Sequence, residues 1–245
     1  MYLGHLTSIR HKQIRCALPL SQQRIVVSSY GENAVVLYAR DETGYYPSWA
    51  AQVHRPRGIC ADDTFCYVAC FGDPLGSVTA LNLCTGAVRW NVACPRPRGI
   101  DMDGDQLVVT QVATGRISIH EPKTGAEIQT LPMVVKSPRG IALVKPGVYV
   151  VAESDAGRVS KLSRTKLLQS RDDLPHCNDV ACHGASIAVS LWYVHSVVLL
   201  RTEDLSRLLE IRVPGPNRGL AMLRMTAKVI FVGDDRQNRV HVLRY

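Results

Sequence analysis

Arginine recurs in this chain at a regular interval, each time directly before a glycine. Arg57, Arg98 and Arg139 stand in RPRGIC, RPRGID and SPRGIA, and Arg218 stands in NRGLAM. A guanidinium group stays charged at any physiological pH, and its rigid fork of N–H donors fits carboxylate and phosphate oxygens. Equivalent arginines gathered on one surface would therefore bind an anion, provided that the fold brings them together.

The glycines of these motifs mark a sequence repeat. CNDVAC at 177–182 is a degenerate copy with Asp179 in the glycine position, so the marked positions are 58, 99, 140, 179 and 219, in steps of 41, 41, 39 and 40 residues. A second series of turn residues, mostly Gly or Asn and so tolerant of a positive φ angle, lies out of phase with the first. Its members are Asn33, Gly76, Gly115, Gly157, His195 and Asn238. A fixed period of this length is typical of repeat folds.

Each repeat holds four short apolar stretches separated by polar turns, which is the pattern of one β-propeller blade. The 245 residues accommodate six such repeats. We therefore predict an all-β fold, a single six-bladed β-propeller of four-stranded antiparallel blades spanning 1–245. The predicted blades are 12–53, 54–94, 95–135, 136–175, 176–214 and 215–245 plus 1–11. In the last blade, an N-terminal strand pairs with Val240 to Tyr245 and removes a free sheet edge.

Two segments resemble the repeats of NHL propellers. They are RPRGIDMDGDQLVVTQVATGRISIH at 96–120 and GDDRQNRVHVLRY at 233–245, which match a P-x-G-hydrophobic opening and a D-x-x-N-R-[IV] turn. The resemblance follows the repeat through the whole chain and is strongest in the third, fourth and sixth copies. It implies the six-bladed architecture. It leaves the activity open, because similar propellers include lyases, lactonases, RNA-binding proteins and protein-binding scaffolds.

The predicted fold places the arginines around one mouth of the central channel, because the loop into each innermost strand lies there. The turns and loops on the opposite side carry Asp62, Asp63, Asp103 and Asp105. The arginines of the motifs either bind a ligand or pair with carbonyls and carboxylates between blades, and the sequence leaves both open. The candidate ligand-binding residues are Arg55, Arg57, Arg96, Arg98, Arg139, Asn178 and Arg218.

The function that we expect is a non-catalytic binding or scaffold propeller whose arginine-lined face binds an acidic protein segment or RNA. The 29 Lys and Arg residues against 21 Asp and Glu give a net charge of +8, which favours an anionic partner. Aromatic residues, on which bases could stack, make up only 6%. The chain lacks an apolar run of membrane-spanning length and a secretory leader, so we expect a cytoplasmic protein, its eight cysteines reduced, with no membrane partner. A further alternative is an architectural subunit of a larger complex.

An enzyme is the alternative from a different class. His54 and His176, each just before an innermost strand, and Asp179 could form a lyase-like or lactonase-like site at the channel mouth, assisted by a metal ion. The equivalent positions in other repeats are mostly Arg and Gly, which repel or cannot ligate a cation. We therefore expect no metal ion and no cofactor.

Overall fold

The computed structural model describes residues 2–5 as backbone and residues 9, 11–215 and 219–245 in full. Their strands form six antiparallel sheets of four strands each. The innermost strand of every sheet contacts the innermost strands of both neighbouring sheets, so the sheets are blades arranged in a ring around a central channel. The chain is a six-bladed β-propeller, as its repeat predicts.

The first five blades follow one another along the chain, from the innermost strand outwards. The first blade contains β2 (Ile14–Pro19), β3 (Arg24–Ser29), β4 (Ala34–Asp41) and β5 (Gly44–Gln52). The second contains β6 (Pro56–Ala61), β7 (Phe65–Cys70), β8 (Gly76–Asn82) and β9 (Val88–Cys94). The third contains β10 (Pro97–Asp103), β11 (Gln106–Gln111), β12 (Arg116–His120) and β13 (Glu127–Thr130). The fourth contains β14 (Pro138–Lys145), β15 (Val148–Glu153), β16 (Arg158–Ser163) and β17 (Leu167–Arg171), with one 3-10 turn at Ser154–Ala156. The fifth contains β18 (Cys177–His183), β19 (Ser186–Leu191), β20 (Ser196–Arg201) and β21 (Arg207–Arg212).

The sixth blade combines the two ends of the chain. Its inner three strands are β22 (Leu220–Met225), β23 (Val229–Asp234) and β24 (Arg239–Arg244), and its outer strand is β1 (Tyr2–His5). Gly4 pairs with Val242 and His5 with His241, in antiparallel register. The predicted closure of the ring is confirmed, and β24 is not left as a free edge.

The hydrophobic core is divided among the gaps between blades. Among the side chains that the structure describes, the buried apolar ones form six clusters, each joining one blade to the next. Between the third and fourth blades, for example, Val108 and Ile119 pack with Tyr149 and Val151. A single blade would expose these faces to water, so stacking around the ring supplies the burial that stabilises the fold. No helix in the described part of the chain has the length and apolar character needed to cross a membrane.

Every innermost strand is irregular near its start, and this irregularity explains the glycines. Pro56 pairs with Cys70 and the next pair is Ile59 with Val68, so Arg57 and Gly58 lie in a bulge. A Cβ atom on Gly58 would lie 2.6 Å from the carbonyl oxygen of Arg98 in the neighbouring blade. Glycine is required here because the innermost strands approach each other too closely for a side chain.

The turn residues that the sequence singles out for positive φ angles behave as predicted in five of six cases. Asn33, Gly115, Gly157, His195 and Asn238 have φ angles between 52° and 67°. The exception, Gly76, is absent from the residues with positive φ. Its Cβ would lie 2.2 Å from the carbonyl oxygen of Cys70, so glycine is needed there for space.

Candidate functional site

The strand register identifies one equivalent position in each blade at the channel mouth. In all six blades, the last residue of the second strand pairs with a residue of the innermost strand, and the next residue of that innermost strand enters the bulge. A bulge redirects a side chain away from the regular alternation of the strand. The residues at this position, in blade order, are Arg15, Arg57, Arg98, Arg139, Asn178 and Ala221. We call the four arginines of this set the arginine ring.

The register corrects the sequence repeat in the sixth blade. Leu220 pairs with the end of the second strand, Asp234, so Ala221 is equivalent to Arg57 and Met222 to Gly58. Gly219, which the repeat aligned with Gly58, is instead the residue before the strand, and its φ angle is 126°. Arg218, a predicted ligand-binding residue, lies outside the described residues.

Arg15 is the member of the ring that the sequence analysis missed. Its blade has a cysteine, Cys16, where the second to fourth blades have glycine, so no Arg-Gly motif marks it. The signal that could have found it is spacing, since Arg15 precedes Arg57 by 42 residues, close to the period of the repeat.

A left-handed residue stands before each innermost strand and fixes the entry into the bulge. Arg55, Arg96 and His176 have φ angles of 44°, 45° and 53°. The carbonyl oxygen of Arg55 accepts a hydrogen bond from the amide of Phe71 (3.0 Å), and that of His176 accepts one from the amide of Trp192 (3.2 Å). Residues other than glycine rarely adopt this backbone conformation unless their surroundings impose it. Hydrogen bonds between the loops that precede the innermost strands and the loops that carry the aromatic residues therefore hold the mouth in place.

Two members of the ring meet at one amide oxygen. Arg98 donates from Nη2 to Oδ1 of Asn178 (2.5 Å), and Arg139 donates from Nη1 to the same atom (3.1 Å). The amide nitrogen of Asn178 donates to the carbonyl oxygens of Leu220 and Ala221 (3.2 and 2.8 Å), which orients Oδ1 towards the arginines. Arg98 belongs to the third blade and Asn178 to the fifth, so the arginine side chain reaches across the channel.

The other two members of the ring stack on aromatic rings. The Cζ atom of Arg57 lies 4.8 Å from the centre of the Tyr30 ring and 4.4 Å from that of Phe71. The Cζ atom of Arg15 lies 5.0 Å from the Tyr30 ring centre and 5.6 Å from that of Trp192. Contact with an aromatic face stabilises a guanidinium group while leaving the N–H donors in its plane available.

The ring carries more positive charge than the protein neutralises. Arg15 pairs with the buried carboxylate of Asp235 (2.7 Å), and Arg139 lies 3.9 Å from the exposed Asp155. Burial raises the pKa of Asp235, although the charge of Arg15 opposes this. Within the described residues, no hydrogen-bond partner is found for the buried Nε atoms of Arg15, Arg57, Arg96, Arg98 and Arg139.

The crowding of charge is reflected in the pKa values of the ring. Burial, followed by repulsion from Arg15, lowers the pKa of Arg57 to about 9. Burial and the charges of Arg57 and Arg139 lower the pKa of Arg98 well below its usual value. Desolvation disfavours a charged group, and neighbouring like charges add to that cost. An anion between these groups would offset the electrostatic cost of crowding them together.

Arg55 and Arg96 surround the ring at the rim of the mouth. Arg55 is exposed, with its Cζ atom 5.9 Å from the Tyr30 ring centre. The Cζ atom of Arg96 lies 5.3 Å from the Phe71 ring centre, and its Nε lies 3.8 Å from Asp73. The structure therefore brings six candidate residues together at one mouth of the channel: Arg55, Arg57, Arg96, Arg98, Arg139 and Asn178.

The residues of the alternative enzyme site lie apart. His54 and His176 are both exposed. They precede the innermost strands of the second and fifth blades, which lie on opposite sides of the propeller. Asp179 is fully buried one residue deeper than Asn178, and its Oδ2 accepts the amide of Leu223 (2.6 Å). Burial raises the pKa of Asp179 to about 7, although Arg224 opposes the shift. In the described part of the chain, no group of three or more His, Cys, Asp or Glu residues is placed to hold a metal ion.

Arg224 lies in the channel below the arginine ring. Its Nε donates to the carbonyl oxygen of Ile59 (3.0 Å), and its Nη1 to that of Leu223 (2.7 Å). Nη1 also lies 4.0 Å from Oδ2 of Asp179. On the far side of this guanidinium, a cavity of about 220 Å³ opens between the innermost strands, where Asp101 and Cys60 are among its lining residues. Nothing in the repeat marks Arg224, because Cys60 and Asp101 occupy equivalent positions.

Two solved structures are similar to this chain over almost its whole length. The crystal structure of the WD40 β-propeller domain of Doa1 has a TM-score of 0.67 at 12% sequence identity, covering 99% of this chain and 97% of that one. The streptogramin B lyase structure has a TM-score of 0.66 at 10% identity, covering 99% and 96%. At these identities the similarity concerns the fold alone. No protein-family model and no curated protein sequence matches the chain.

Proposed function

We propose that this propeller is a non-catalytic binding platform whose arginine ring holds an acidic segment of a partner protein. The observation that carries the proposal is the state of three ring members. Arg15, Arg57 and Arg98 are only 9%, 8% and 8% exposed, yet their Nε atoms find no acceptor in the described chain. A buried donor without an acceptor costs free energy, on the order of 1–3 kcal/mol, which a ligand oxygen would recover.

A protein segment fits the mouth better than RNA does. Sequence-tolerant RNA binding requires aromatic faces on which bases stack. Tyr30 has three guanidinium groups within 6 Å of its ring centre, and Phe71 has two. RNA is therefore the second outcome of the test below.

We also propose that the repeats are of the NHL-like kind. The Pro-Arg-Gly openings of three blades and the turn sequence DRQNR at 235–239 support this interpretation. A reducing, cytoplasm-like location belongs to the same proposal and is supported by the eight cysteines, all of which are free thiols.

The proposed function is tested by fluorescence anisotropy with two labelled probes, a peptide of alternating Asp and Glu and a single-stranded RNA of mixed sequence. The double variant Arg57→Gln plus Arg98→Gln removes two ring charges. Arg89→Gln, an exposed arginine on the outer strand β9, is the matched control.

We expect the peptide to bind the wild-type protein and the Arg89 variant equally and the double variant at least about tenfold more weakly, since each lost charge-assisted hydrogen bond contributes roughly 1.5–3 kcal/mol. Thermal denaturation confirms that each variant is folded. Equal binding to the double variant and the wild type would refute the ring as the site. Preferential, ring-dependent binding of the RNA would replace the protein partner with a nucleic acid.

A further inference from the structure

We propose that the anion for which the arginine ring is built is a phosphate monoester, carried by a phosphorylated side chain of the partner protein. This inference rests on the proposed function and narrows its ligand. Three features of the mouth support it: the number of unneutralised charges, the arrangement of the donors and the depth of the ring.

The charge of the ring exceeds what a single carboxylate can neutralise. Four guanidinium groups interact electrostatically at the mouth, as the mutual effects on their pKa values show. Among the residues that the structure describes, the one buried carboxylate in contact with these arginines is that of Asp235, which lies 2.7 Å from Arg15. A side-chain carboxylate brings one negative charge, while a phosphate monoester brings about 1.5 to 2 at pH 7. The monoester therefore matches the charge more closely.

The donors come from several blades rather than from one. Arg98 and Arg139 already converge on one oxygen atom, Oδ1 of Asn178, from the third and fourth blades. Arg57 and Arg15 approach from the second and first blades and share the Tyr30 ring between them. A planar carboxylate is satisfied by one guanidinium in a two-pronged contact, whereas three phosphate oxygens accept donors from different directions at once. A ring of arginines around an axis suits the tetrahedral group.

The depth of the ring restricts how the phosphate is presented. Arg57 and Arg98 are 8% exposed, so only a slender group entering along the channel axis reaches them. Arg224 occupies the channel below, donating to the carbonyl oxygens of Ile59 and Leu223, so the entering group stops at the ring. A phosphorylated side chain projects from its backbone and ends in the phosphate. A phosphodiester inside an RNA strand is flanked by sugars on both sides, so it cannot enter as the end of a single projecting group.

The test uses fluorescein-labelled nonapeptide pools with degenerate flanks and a fixed central residue. The central residue is phosphoserine, phosphotyrosine, Glu or Ser in four matched pools, and a fifth probe is a short RNA with a 5′-phosphate. Anisotropy titrations are run with the wild-type protein, the Arg57→Gln plus Arg98→Gln double variant and the Arg89→Gln control. A sample of each phosphorylated pool is treated with phosphatase and measured again.

We expect at least one phosphorylated pool to bind about tenfold or more tightly than the Glu pool, to lose that advantage after phosphatase treatment, and to lose it again in the double variant. Inorganic phosphate should compete. If the Glu pool binds as tightly as the phosphorylated pools in a ring-dependent way, the phosphate inference is wrong and the proposed function stands. If the RNA binds more tightly than every peptide pool, a protein source of the phosphate is wrong. If no probe shows ring-dependent binding, both proposals fail.

Discussion

Arg98 in the third blade donates a hydrogen bond of 2.5 Å to Asn178 in the fifth blade, across the mouth of the channel. The two residues are eighty positions apart in the sequence. Asn178 also accepts from Arg139 in the fourth blade and donates to the carbonyl oxygens of Leu220 and Ala221 in the sixth. One amide thus links four blades at the axis. Its neutral oxygen orients two guanidinium groups without cancelling their charge, which keeps the mouth attractive to an anion.

Replacing Asn178 by Ala should therefore destabilise the propeller. The change leaves the buried guanidinium of Arg98, the half-buried guanidinium of Arg139 and two buried carbonyl oxygens without this partner, so we expect the free energy of unfolding to fall by about 2–3 kcal/mol. Urea denaturation followed by fluorescence measures it. Asn91→Ala is the matched control, since Asn91 also donates two hydrogen bonds but is exposed on β9. A loss below about 0.5 kcal/mol for Asn178→Ala would contradict its role as a central link.

Arg57→Met should stabilise the protein while it weakens binding. Methionine keeps an apolar chain beside the Tyr30 and Phe71 rings and removes a buried charge that has no carboxylate partner among the described residues. Replacing buried charges by apolar side chains of similar volume is often neutral or stabilising by about 1–4 kcal/mol. We expect a gain near 1 kcal/mol in urea denaturation at pH 7.5, against no change for Arg89→Met.

The gain from Arg57→Met should shrink at high pH. Because the pKa of Arg57 is lowered to about 9 in the folded protein, the folded state loses this proton above pH 9 while the unfolded state keeps it. The unfolded state then binds more protons, so the stability of the wild-type protein rises with pH relative to the variant. Urea denaturation of both proteins at pH 7.5 and 10 measures the difference. A stability difference that stays constant over this range would show that folding does not lower the pKa of Arg57.

The buried pair of His195 and Asp234 should make stability fall as the pH rises above neutrality. Burial disfavours the charged imidazole, but hydrogen bonds to Asp234 (3.1 Å) and to the carbonyl oxygen of Val213 outweigh it and raise the pKa of His195. The stabilisation is complete below the unfolded-state pKa of about 6.5 and is lost as pH rises through the folded-state pKa. The stabilisation is also lost in acid, where Asp234 becomes protonated. Burial raises the pKa of Asp234, but the hydrogen bonds from His195 and His241 outweigh burial and lower it.

We expect the unfolding free energy of the wild-type protein to fall between pH 6 and pH 8.5 relative to that of His195→Gln, measured by urea denaturation. His183→Gln, an exposed histidine on β18, should follow the wild-type pH profile. Parallel profiles for wild type and His195→Gln would mean that folding leaves the pKa of His195 unchanged.

Gly99→Ala should disturb both the fold and the site. The added Cβ would lie 2.4 Å from the carbonyl oxygen of Arg139 and 2.8 Å from the amide nitrogen of Ile141, and both atoms belong to the backbone of the next blade. Overpacking of this kind costs about 1–3 kcal/mol and would move Arg98 relative to Arg139.

Gly104→Ala is the control for Gly99→Ala. It meets no atom within 4 Å, but its φ angle is 62°, so it should cost about 1 kcal/mol from backbone strain alone. Thermal denaturation gives the stability, and anisotropy with the acidic peptide gives the binding. Weakened peptide binding is expected for Gly99→Ala only, so an equal effect of both variants would contradict the role of close strand approach.

The sequence repeat predicts equivalent positions correctly in the blades that follow the common pattern. Arg57, Arg98 and Arg139 occupy equivalent bulges, as their shared Pro-Arg-Gly motif predicts. The alignment of the repeat was wrong by three residues in the sixth blade, where Met222 takes the position assigned to Gly219. A glycine can serve either for close approach or for a positive φ angle, and the sequence motif does not distinguish the two uses.

The sequence by itself determined the number of blades, the all-β class, the closure of the ring by the N-terminal strand and the clustering of three arginines at one mouth. Each of these follows from periodic local patterns, which a chain must satisfy repeat by repeat. Only the tertiary structure decided that Arg15 joins the ring, that Asn178 accepts from two arginines, that Tyr30 and Phe71 hold Arg57 between them, and that Arg224 occupies the channel below. These relationships join residues from different blades. They depend on the distances between innermost strands at the axis, and no spacing along the chain encodes those distances.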